Sequence, residues 1–75
     1  MATISKRERA RIQYERMTYV RESLEGLHEA SRAMLDNEHT PPDARATAEA
    51  DFRYADGAIA MLDKWRLVLK KTMTQ

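Results

Sequence analysis

Pro41 and Pro42 sit side by side just past the midpoint of a 75-residue chain, and no other proline occurs in it. Adjacent prolines break a helix interior, because each lacks an amide hydrogen and its ring clashes with the preceding turn. In the first turn of a helix they are tolerated, since those amides have no intrahelical partner anyway. On either side lies a long run with helical periodicity. Thr40, with Asp43 three residues on, reads as an N-cap followed by a first-turn acid. The chain is therefore expected to form helix 1 over about 5–36, a turn over 37–40 and helix 2 over about 41–72, in a single domain spanning 1–75. Asn37 is expected to close helix 1 in the left-handed conformation.

Composition favours the same class. Only two glycines accompany the two prolines, too few turn formers for an all-β chain, while 33% charged and 43% hydrophobic residues suit helices. The absence of cysteine excludes disulfide staples and thiolate chemistry. The N-terminal stretch Met1–Arg7 is not followed by an apolar run of signal-peptide length, and no stretch approaches the roughly twenty apolar residues of a membrane span. A cytoplasmic location and no membrane partner are expected.

Helix 1 opens on Ser5-Lys6-Arg7-Glu8, which fits the S-x-x-E capping box. A heptad follows, with Ala10, Met17, Leu24 and Ser31 on one line and Gln13, Val20, Leu27 and Met34 on the next. The opposite line, Glu8, Glu15, Glu22, Glu29 and Asp36, is acidic in every heptad and marks the wet face. Helix 2 carries Ala48, Phe52, Ala55, Ile59, Leu62, Leu69 and Met73 on one line, interrupted by Arg66. Beside it runs a second line, Tyr54, Ala58, Met61, Trp65 and Val68. Two helices of equal length joined by a short turn pack antiparallel. With the turn as pivot, residues at one height sum to about 79, which sets Met17 beside Leu62, Tyr14 beside Trp65, Arg16 near Asp63 and His28 near Asp51. The expected fold is all-α, an antiparallel two-helix hairpin. Its second apolar line has no cover, so a homodimer is expected, as a four-helix bundle or short coiled coil.

Motifs for chemistry are sparse. Glu25-x-x-His28 has the spacing of a carboxylate-bundle metal ligand pair, but helix 2 offers no second copy, and Glu25 falls on an outward line. There is no phosphate-binding glycine loop and no nucleophile elbow. A slim hairpin also lacks a pocket from which to exclude water. The expectation is a non-enzymatic protein with no metal and no cofactor.

Charge is segregated. Residues 1–21 and 64–75 hold ten Lys or Arg against two acids, a net +8, and residues 22–63 hold three Arg against ten acids, a net −7. A hairpin brings both basic segments to its open end, where Lys6, Arg7, Arg9, Arg11, Arg16, Lys70 and Lys71 converge. Bases at the N-terminus of helix 1 oppose the helix dipole, which points to a use for them. Ile12, Tyr14, Tyr19, Trp65 and Leu67 are the candidate anchors for a partner, and Gly26 and Gly57 lie in outward positions where another backbone could approach. The expected function is a small protein–protein interaction module, an adaptor, regulator or inhibitor, that presents a helical face to a partner with an acidic surface. The alternative is a nucleic-acid-binding dimer that uses the basic end against phosphates.

Overall fold

A computed structural model describes residues 3–74. Among the described residues the chain is all-helical and without strands: α1 spans Lys6–Asp36, α2 spans Pro42–Met73, and the two pack against each other. The molecule is a rod of 57 × 23 × 13 Å. Its radius of gyration is 17.0 Å, against about 11 Å for a compact chain of this length.

The start of α1 follows from its sequence. Ser5 is extended and its hydroxyl accepts from the Glu8 amide at 3.1 Å. The reciprocal half of the capping box is not used, because the Glu8 carboxylate is engaged by Arg11.

The turn departs from expectation in two ways. Thr40 is not the N-cap of α2; that position is Pro41, with no side-chain cap. The Thr40 hydroxyl instead donates back to the Met34 carbonyl at 2.6 Å. Asn37 is extended rather than left-handed (φ −87, ψ 115), and its side-chain oxygen accepts from the His39 amide at 3.0 Å. The physical reason lies in α2. Arg45 reaches back across the turn and donates to the carbonyls of Leu35 at 2.9 Å and Asn37 at 2.8 Å. With Thr40 and Arg45 satisfying the last carbonyls of α1, no left-handed closure is required.

The seam is built from small residues. Ala10, Ser31, Ala48 and Ala55 are the buried residues, and no large side chain is fully buried among the described residues. On α2 the line Phe52, Ile59, Leu62, Leu69 and Met73 faces α1 as expected, together with Arg66. On α1 the pattern is rotated. Ala10, Met17, Leu24 and Ser31 face inward, but their inward companions are Tyr14, Arg21, His28 and Leu35, one position further along than the expected Val20–Leu27–Met34 line. Val20 and Met34 are left exposed and Leu27 borders on it.

Candidate interaction site

Rotation of α1 gives the hairpin two unlike flanks. One flank is polar. Arg66 lies over the ring of Tyr14 with its Cζ 4.9 Å from the centroid, and it donates to the phenol oxygen at 3.3 Å. One step toward the turn, Arg21 donates to both oxygens of Asp63, at 2.6 and 3.3 Å, and also engages Glu25. The Arg21 hydrogen bond holds the Asp63 carboxyl below its usual range. Beyond it His28 stacks on Phe52 at 4.2 Å. Its Nε2 approaches Asp56 at 3.5 Å but finds no hydrogen-bond geometry there.

These contacts correct the expected pairings. Asp63 meets Arg21 rather than Arg16, and His28 meets Phe52 and Asp56 rather than Asp51. Tyr14 lies beside Arg66, not against Trp65. The shift is small along the axis but decides which side chains meet. A line of polar and aromatic residues every seventh position, Tyr14, Arg21, His28, was the signal in the sequence for this flank.

The other flank is apolar. Gln13, Trp65, Val68 and Leu69 line one shallow depression, which places the Gln13–Val20–Leu27–Met34 row of α1 on the same side as the Trp65 row of α2. Tyr54, Met61, Trp65 and Val68 are all exposed, Trp65 at 59%. Gly57 belongs to this row, three residues from Tyr54 and four from Met61, and nothing within the hairpin lies near the position its Cβ would take. Gly26 is equally open. Neither glycine is required by contacts within one chain.

The candidate anchors are thus divided. Trp65 belongs to the apolar flank. Ile12 and Tyr19 line a depression along the outer side of α1 with Glu15, Arg16 and Val20, and Tyr19 is 73% exposed. Leu67 is exposed too, but it follows Asp63 by one helical turn and stands on the polar side. Tyr14 is half-buried beneath Arg66.

At the open end Arg11 is held by Glu8 and Glu15, which together raise its pKa further. Among the described residues, Lys6, Arg7, Arg9, Arg16, Lys70 and Lys71 form no ion pair. Lys6 and Arg9 rim a notch with Ala10, Gln13, Leu69 and Thr72. No group of three or more His, Cys, Asp or Glu is placed to hold a metal among the described residues. No described helix is long and apolar enough to cross a membrane.

Comparison with protein-family models, with curated proteins and with solved structures returned no match.

Proposed function

We propose that this chain is a non-enzymatic protein–protein interaction module of the adaptor, regulator or inhibitor kind. One observation carries the reading: the hairpin buries alanine and serine while it exposes Tyr54, Met61, Trp65 and Val68 together on one flank. Large exposed side chains grouped on one flank mark an interaction surface, whereas scattered single ones need no explanation. In this reading the apolar flank supports a homodimer, a four-helix bundle of two hairpins. The Ile12–Arg16–Tyr19 depression then receives a protein partner whose acidic surface is steered by the basic open end. Capture from the native cell tests it. A defined partner should be retained by the unaltered protein and lost with Tyr19→Ala, or with Arg9 and Arg16 reversed to Glu. A partner retained equally by all three would refute the reading.

The unpaired bases at the open end favour a second reading, contact with nucleic-acid phosphates. Such binding would fall steeply with salt. A low-salt gel shift separates the two, since retardation that vanishes on charge reversal at Arg9 and Lys70 supports only the second.

A further inference from the structure

We infer that the apolar flank is covered by a second copy of this chain lying antiparallel to the first, with the two-fold axis passing near Gly57 and Met61. The inference rests on the interaction-module reading and names the occupant of one of its faces.

Surface area argues for an occupant of this size. The chain exposes 6049 Å², whereas a compact monomer of the same length would expose about 4,700 Å². The excess, on the order of 1,300 Å² per chain, matches what each subunit of a permanent homodimer buries. The flank has suitable dimensions. Its α1 row runs from Gln13 to Met34, about 30 Å at 1.5 Å per residue, and it is two helices wide.

Charge selects the copy and its direction. At the open end the flank is rimmed by Lys6, Arg9 and Arg16; Arg9 and Arg16 are one turn from Gln13 and Val20 respectively. Toward the turn it is rimmed by Asp43 and Asp51, which precede Tyr54 on α2 by about three turns and by one turn. A parallel partner would set base against base and acid against acid. Turning the partner end for end sets the basic rim of each copy on the acidic rim of the other. The apolar rows remain in register, because Trp65 of each copy then reaches the level of Tyr54 in the other. Gly57, near the middle of the row and open above its Cα, allows the two α2 helices to approach closely at the axis. A glycine there costs about 1 kcal/mol of helix stability relative to alanine, and close approach of a second backbone accounts for it.

The test uses the whole chain. Sedimentation equilibrium should show a dimer, and Met61→Glu should raise its dissociation constant by about tenfold or more while Leu67→Glu leaves it unchanged. A monomer at about 100 µM, or equal effects of the two substitutions, would overturn the proposal. Orientation is read separately, from a nitroxide attached at Glu38→Cys, an exposed turn position outside the flank. An antiparallel pair separates the two labels by about 50 Å. A parallel pair holds them within about 20 Å, and that distance would refute the antiparallel arrangement even if a dimer forms. Both measurements use purified protein, so a monomer leaves the capture experiment standing, and a dimer that captures no partner overturns the module reading alone.

Discussion

Arg66 and Tyr14 form a half-buried cap across the seam: the guanidinium lies over the ring and one of its nitrogens donates to the phenol oxygen. Arg66 interrupts an otherwise apolar line on α2, and its position shows how that is tolerated. The aliphatic stem joins Leu62 and Leu69 on the inward face while the head turns to the polar flank. Its Nε remains buried without a hydrogen-bond partner among the described residues.

That geometry predicts different outcomes for two substitutions. Arg66→Ala removes stem packing and the ring contact together and should cost about 1–2 kcal/mol. Arg66→Leu restores packing and removes the orphaned donor, so it should stay within about 0.5 kcal/mol of the parent. Urea unfolding followed by far-UV circular dichroism, at one fixed protein concentration, distinguishes the two.

Ala55 is completely enclosed between the helices. Ala55→Leu has no space to fill and must push α1 and α2 apart, at a cost of about 1–3 kcal/mol. For a domain of this size that is a fall in Tm of about 4–8 °C per kcal/mol. An unchanged melting temperature would mean that the seam is looser than the structure shows.

Arg45→Ala leaves the carbonyls of Leu35 and Asn37 to water and should cost about 1–2 kcal/mol. Arg45→Lys should recover little of this, because an ammonium cannot reproduce two donations from one planar fork. Thermal melts of the pair check the prediction.

Acid should weaken the polar flank. Asp63 titrates below its usual value of 3.8 because Arg21 donates to it. A depressed carboxyl stabilises the fold fully above its unfolded-state pKa and loses that contribution as pH falls through the lower folded-state value. The parent should therefore lose stability below about pH 3.8 more steeply than Asp63→Asn, and parallel pH profiles for the two would show the pair to be without consequence. The carboxylate is exposed, so the effect should also shrink in high salt.

The hairpin, its helix limits and the inward face of α2 were legible in the sequence, for identifiable reasons. Pro41 and Pro42 punctuate the chain, Ser5 caps it, and the line from Ala48 to Met73 repeats at helical spacing. The rotation of α1 was not legible. Apolar periodicity gives a stripe but not its centre, and Val20, Leu27 and Met34 look as fit for burial as Tyr14, Arg21 and His28 look unfit. What decides is pairing across the seam. Arg66, Asp63 and Phe52 offer partners to the second set, so amphipathic side chains take the position that hydrophobicity alone would assign to the first. The same limit applied at the turn, where Thr40 had two acceptable uses and a residue of the next helix, Arg45, shares with it the task of ending the first.

Arg45 also makes the two ends of the rod unequal in the order of their formation. Arg45 meets Leu35 across a loop of ten residues, whereas Tyr14 and Arg66 are 52 apart. Short loops close at lower entropic cost, so pairing should begin beside the turn and spread outward like a zipper. Each step toward Lys6 and Thr72 depends on the one before it. Amide exchange should then be slowest near Ala48 and fastest around Ala10 and Leu69. The basic arms, held together last, would be the first to separate as the hairpin opens.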